Sequence, residues 1–440
     1  MDDFSQSHVK VHSRRSFLRS HLCSRWRRDV LSMFFVLCLL SPKQIANAQA
    51  KKVIVGAEVL LSDSAHLIAH KRIAVIAHHA SLLSSGEHLV DALLKRKEFI
   101  LAAILSPEHG YRGNAPAGAI IRNTIDSASG VRIFSLYGET KKPTTEMLRN
   151  TDVVLFDLQD VGARYYTYLS TLFYAMQSAA EHRIPFIVLD RPNPITGNFI
   201  EGPLRDEALT SFVGIVPIPI RHGMTLGEVA RMMNGEGWLG KNLRCDLHVL
   251  NMKNWRRNMW MDETGLAWKA PSPNIKSLQS AIVYPGTCLF EGTNISEGRG
   301  TEHPFEFVGA PFLDGEALSR DLNERKIPGV AFRKIDFIPQ SIAGVALAPK
   351  YENETCHGVS IVVTDRNAFQ PVRCALEMLA AMLRQAKSRI TFRDHFSRLI
   401  GRNDVVESLM NGKSAAEIIQ RWKHDLQAFS LVREKYFLYN

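Results

Sequence analysis

Apolar residues in the first half of the chain come in short, nearly unbroken runs separated by amphipathic stretches. RIAVIAHH at 72–79 reads as a strand ending in polar residues, and FILAAILS (99–106), VRIFSLYG (131–138), TDVVLFDL (151–158) and IPFIVLD (184–190) repeat the form. HLVDALLKRK (88–97) has helical spacing, and a longer helix over 168–182 carries Leu169, Leu172, Phe173, Met176 and Ala180 on one face. Near-continuous apolar strands separated by helices predict a parallel sheet covered on both sides. Past the Pro-, Ser- and Gly-rich segment 271–286, GVAFRKIDFIP and HGVSIVVTDRNAF mix with a helix at 371–386 and a C-terminal helical stretch. The pattern predicts an α/β protein with a first domain over 51–280 and a second over 281–440. No G-x-G-x-x-G follows any strand, so a dinucleotide cofactor is poorly supported although the architecture is Rossmann-like. No cofactor is expected.

Residues 1–50 break the pattern. A region rich in Arg precedes the apolar run VLSMFFVLCLL (30–40), and small residues follow at Ala46, Ala48 and Ala50. This is the layout of a secretory signal with an A-x-A cleavage site near Ala48 or Ala50. The run is too short for a membrane span, which needs about 20 apolar residues. SRRSFLR at 13–19 resembles a twin-arginine export signature, although ten mostly polar residues separate it from the apolar run. The expectation is an exported protein, periplasmic or extracellular, with no stable membrane insertion.

That leader changes what the charge means. The 440 residues hold 54 Lys+Arg and 44 Asp+Glu, a net +10 that first suggests a nucleic-acid partner. Eight Lys/Arg and three Asp fall in the leader, leaving 46 against 41 in the remainder. A basic stripe is not required by that balance, and nucleic acid drops out as a partner. Cys245, Cys288, Cys356 and Cys374 show no metal-ligand rhythm. His78, His79, His109 and His222 likewise lack local ligand spacing, so no metal is expected.

Polar residues gather where an open parallel sheet binds ligands, beyond the carboxyl ends of its strands. PEHGYRG offers Glu108, His109 and Arg112; QDVGARYYTY offers Asp160, Arg164, Tyr165 and Tyr166; DRPNPITG offers Asp190, Arg191 and Asn193. IRHGMT adds Arg221 and His222, and EGTNISEGRGT adds Glu291, Glu297 and Arg299. Carboxylates beside aromatic rings suit glycoside cleavage, and arginines suit an anionic group on the sugar. Glu108 is the best acid candidate, because a loop flanked by Pro107 and Gly113 can fix its geometry and partly desolvate it. G-x-S-x-G is absent. Residue types alone leave open both a hydrolase and a non-catalytic sugar-binding crevice.

SPEHGYRG (106–113), SLYGETKKPTTEML (135–148), VVLFDLQDVGARYYTYLSTLFYAM (153–176), VLDRPNPITG (188–197), IRHGMTLGEVA (220–230), the block 271–311 and the closing REKYFLYN resemble the exo-β-N-acetylmuramidase family of the NamZ type. The resemblance covers residues 70–440. It implies a Rossmann-like N-terminal domain, a smaller C-terminal α/β domain and an active-site crevice between them. It also implies removal of terminal β-1,4-linked N-acetylmuramic acid from the non-reducing end of peptidoglycan fragments. By this match Glu108 is the catalytic acid, with Asp160 and Tyr166 as catalytic partners. Arg164, Asp190 and Arg191 would line the crevice, with Glu297 and Arg299 reaching in from the second domain. HHASLLSSGEH (78–88) departs from the Asn-Pro-Thr-Gly turn common in relatives, which bears on the glycan accepted.

Overall fold

The five apolar runs become parallel strands of one sheet, with buried residues in each, and a sixth parallel strand joins them at one edge. The strands are β1 (Arg72–Ala77), β2 (Ile100–Ser106), β3 (Thr124–Ile125), β4 (Arg132–Ser135), β5 (Val153–Asp157), β6 (Phe186–Leu189) and β7 (Leu247–Leu250), in the order β3-β4-β2-β1-β5-β6-β7. Only the short β3 runs antiparallel, against β4. Side chains of β1 alternate between two cores: Ala74 and Ile76 face one, Ile73, Val75 and Ala77 the other. The structure, a computed structural model, describes residues 51–113, 118, 122–127 and 129–440. The expected signal peptide and its cleavage site lie outside the described residues.

The long helix forms at Tyr168–His182 and buries Leu169, Leu172, Phe173 and Met176. It ends where Arg183 turns left-handed at φ 56°. Strand 131–138 is shorter than its pattern, since the Ser135 hydroxyl donates to the Tyr137 carbonyl and accepts from the Tyr137 amide, turning the chain. β7 escapes a pattern search because LHVL is four residues long and has no buried residue.

The second sheet is smaller and antiparallel, β8 (Phe307–Ala310), β9 (Val330–Phe337) and β10 (Cys356–Val363), ordered β8-β10-β9. The helix Pro371–Ala386 starts with proline in its first turn, where no amide partner is needed, and buries Val372, Leu376, Leu379 and Leu383. One core runs without a break from Phe156 of β5 to Leu376 of this helix. Residues 52–440 therefore pack as one unit holding both sheets. No described helix is long and apolar enough to cross a membrane.

Candidate active site

β2 and β5 flank β1, where the strand order reverses, and the chain leaving each of them builds the site. After β2 the backbone turns sharply: His109 and Gly110 are both left-handed, at φ 72° and 79°. The conformation is cheap for glycine but costs histidine about 1–2 kcal/mol, strain held in a turn beside the cavity. Gly113 must be glycine, because a Cβ there would fall 1.9 Å from the His79 ring.

This turn aims Glu108 into a cavity of about 610 Å³ and leaves it 7 % exposed. Its Oε2 accepts from the Thr167 hydroxyl at 2.6 Å and its Oε1 from the Gly118 amide at 3.1 Å. The Tyr137 hydroxyl also bonds this carboxylate; burial and the neighbouring negative charge push that phenol up. Thr167 directly precedes the helix Tyr168–His182, so the carboxylate lies by the positive end of a helix dipole.

Tyrosines behind Thr167 fix the wall. Tyr165 donates to the Tyr284 carbonyl at 3.1 Å, and Tyr166 packs edge-on to Tyr168 with centroids 4.8 Å apart. The Gln159 amide donates to His78 Nε2 (3.1 Å), which leaves the ring proton on Nδ1 to face the Tyr168 hydroxyl at 3.1 Å. Tyr168 in turn donates to the Pro271 carbonyl at 2.9 Å. Burial holds His78 well below the usual histidine range, in keeping with this neutral tautomer.

A second group of charges lines the same cavity. Arg299 donates to Glu291 Oε1 at 2.6 Å and lies 3.5 Å from Glu297. Lys350 gives its ammonium to the Phe290 and Ile295 carbonyls and to Glu297, at 2.7, 2.9 and 2.8 Å. Burial opposes the charge on Arg299, but Glu291 and Glu297 outweigh it and hold the guanidinium above its ordinary range. Glu291 takes both Arg299 bonds on Oε1, and among the described residues its Oε2 has no partner.

Of the residues expected from sequence, Glu108, His109, Tyr166, Glu297 and Arg299 line the cavity, as do Tyr165 and Glu291. The other expected residues do not. Arg112 pairs with Asp126 at 2.6 Å and faces solvent. Asp160 accepts from the Gly162 amide at 2.7 Å and lies 3.5 Å from His222, so its carboxylate orders its own turn. Arg164 is fully buried, donating to the carbonyls of Pro203, Ile218 and Leu399 at 2.7, 2.8 and 2.7 Å. Arg191 grips Asp157 through two bonds, of 2.6 and 2.8 Å. Asn193 links the Met224 carbonyl to the Ile195 amide, while Arg221 donates to the Ile195 carbonyl and lies over Phe199. None of these residues lines the cavity, and each has at least one polar atom bonded to the backbone or to an acid, so they act as braces of the fold. Tyr137, Thr167, Lys141 and Lys350 line the cavity without having been singled out, and Lys350 carries no local sequence signal at all.

Asp190 illustrates the difference. It follows β6 but is fully buried, accepting from Thr225 (2.7 Å), the Gly227 amide (2.9 Å) and Tyr439 (2.6 Å) of the C-terminal tail. Burial pushes its carboxyl up to about 6. Between an unfolded value near 3.8 and that folded value, the native state holds a proton that the unfolded chain has released. Stability from this group therefore falls as pH rises through the window, by roughly 3 kcal/mol in all, and stays low above it. Asp190→Asn lacks this titration. Its denaturation midpoint relative to wild type is expected to improve steadily from about pH 4 to pH 7. A difference independent of pH would contradict the assignment.

Residues 73–279 match the family model for the N-terminal part of exo-beta-N-acetylmuramidase NamZ, and 282–439 match that for its C-terminal part. The peptidoglycan beta-N-acetylmuramidase NamZ of Bacillus subtilis (strain 168) is 43% identical over 395 residues, 89% of this chain and 93% of the relative. Two crystal structures of DUF1343 family proteins from Bacteroides fragilis NCTC 9343 are similar throughout. One has a TM-score of 0.80 at 32% identity, covering 88% of this chain and 99% of its own. The other has a TM-score of 0.74 at 36% identity, covering 89% and 99%.

Proposed function

Since this chain belongs to the exo-β-N-acetylmuramidase NamZ family, we propose that its cavity is where terminal N-acetylmuramic acid is cut from peptidoglycan fragments, with Glu108 as the acid. The protein is a glycoside hydrolase, an exo-β-N-acetylmuramidase acting at the non-reducing end on β-1,4-linked residues. The observation that carries the active-site reading is the cradle of Glu108: a nearly buried carboxyl in a cavity wall, bonded by two hydroxyls and one amide.

Chemistry follows from that cradle. The hydroxyls of Thr167 and Tyr137 can each donate or accept, so they hold the carboxyl in either protonation state. Protonated Glu108 gives its proton to the glycosidic oxygen as the C1–O bond breaks, and the positive charge develops on the sugar ring. Glu291, with Oε2 open, is the second carboxylate, there to face that charge or the incoming water. Arg299 and Lys350 fix Glu291 and Glu297 so that neither must reorganise during the reaction. Asp160 is assigned no chemical step, and Tyr166 shapes the wall.

We also place the mature enzyme outside the cytoplasm, on the strength of the basic region, apolar run and A-x-A site in residues 1–50. The activity is checked by incubating the enzyme with a chromogenic N-acetylmuramic acid β-glycoside. Release of the chromophore is expected. Binding of the glycoside without release would overturn the catalytic reading in favour of a sugar-binding protein.

A further inference from the structure

N-acetylmuramic acid differs from N-acetylglucosamine by a lactyl ether bearing a carboxylate, so an enzyme that selects it needs a cation whose charge is not already matched by an acid. Arg164, Arg191 and Arg221 do not line the cavity and are bonded to carbonyls or to Asp157, while Arg299, which does line it, is matched by Glu291 and Glu297. Lys350 already uses its ammonium on two carbonyls and Glu297.

Lys141 is differently placed. It lines the cavity and forms no ion pair with any acid among the described residues. The adjacent Lys142 is occupied, 2.6 Å from Glu181. Lys141 Nζ sits 4.6 Å from the centroid of the Phe212 ring, another lining residue. Attraction to a ring face holds a lysine in place without consuming its N–H donors. The ring itself is fixed: it stacks on Tyr174 at an interplanar angle of 13°, and its backbone carbonyl accepts from the Ser170 hydroxyl at 2.6 Å. On its other neighbour, Tyr137, the centroid lies 5.9 Å away, and Tyr137 bonds Glu108. One wall thus runs from catalytic carboxyl through phenol and phenyl ring to a free ammonium. That is the complement of a sugar with an apolar face and an anionic arm.

We propose that Lys141, seated on Phe212, receives the carboxylate of the lactyl group and determines selection of N-acetylmuramic acid over its uncharged analogues. The proposal rests on the reading of this cavity as the active site. Arg393 is the rival, since it too lines the cavity without an acid partner among the described residues; the experiment includes it for that reason.

Full-length wild type and the Lys141→Met, Lys141→Arg and Arg393→Met variants are compared by inhibition with free N-acetylmuramic acid and with its lactyl methyl ester. The reporter is the chromogenic glycoside. Wild type is expected to bind the acid about tenfold or more tightly than the ester, the scale of one charge-assisted hydrogen bond. Lys141→Met should bring the ratio close to one and raise KM for the glycoside with much less change in kcat. Lys141→Arg should restore most of the discrimination, which a merely structural role would not do. The proposal is overturned if wild type does not discriminate, if Lys141→Met still does, or if Arg393→Met is the variant that loses discrimination. Wild type inert on the glycoside would instead remove the active-site reading, and this proposal with it.

Discussion

Glu108→Gln is expected to lower kcat by about 10²–10⁴-fold, the usual worth of a positioned general acid. The substitution is chosen to leave everything else in place. A glutamine carbonyl can still accept from the Thr167 hydroxyl or the Gly118 amide, and the new amide group can donate to Tyr137, whose hydroxyl also accepts. Packing is unchanged, so KM should move by no more than a few-fold and the thermal midpoint should stay near that of wild type. What is lost is the transferable proton. Steady-state kinetics on the chromogenic glycoside, with a melting curve as the control for folding, give the answer. Retention of more than about a tenth of wild-type kcat would refute the acid role, since even the weakest general acids contribute more.

Arg164→Met should act on stability instead, with a loss of about 3–5 kcal/mol. The arginine sits at the centre of a buried junction, where three carbonyls accept from its guanidinium. Leu399, one of the three, lies 235 residues away in sequence, so the side chain ties the segment after β5 to the C-terminal part of the chain. Methionine fills much of the volume but donates nothing, leaving buried carbonyls unpaired at about 1–3 kcal/mol each before relaxation. Chemical denaturation should show the lowered midpoint, while KM of the folded fraction stays within about twofold of wild type. A tenfold rise in KM with unaltered stability would reverse the assignment and make Arg164 a substrate ligand after all.

How much of this was readable in the chain depends on the range over which each feature is decided. The helix 168–182 and the strands 72–77, 100–106 and 153–157 follow from apolar spacing, which is local. Glu108 was legible for a related reason: a strand must end somewhere, and Pro107 with Gly113 marks the loop that follows it and carries the polar residues between them. The short edge strand Leu247–Leu250 left no pattern, being half-covered on both faces and only four residues long.

The arginines mark the boundary between the two kinds of knowledge. Sequence by itself determined that this is an alternating α/β chain, that polar loops follow its strands, and that carboxylates and guanidiniums gather there. Those are properties of neighbouring residues. Only the tertiary structure decided which charges are free. Arg164, Arg191 and Arg221 meet carbonyls or an acid brought from elsewhere in the chain, whereas Lys141 and Glu291 keep a donor or an oxygen facing the cavity. A charged side chain becomes a ligand or a brace according to what folding places against it, and that partner is set by long-range packing that no local motif encodes.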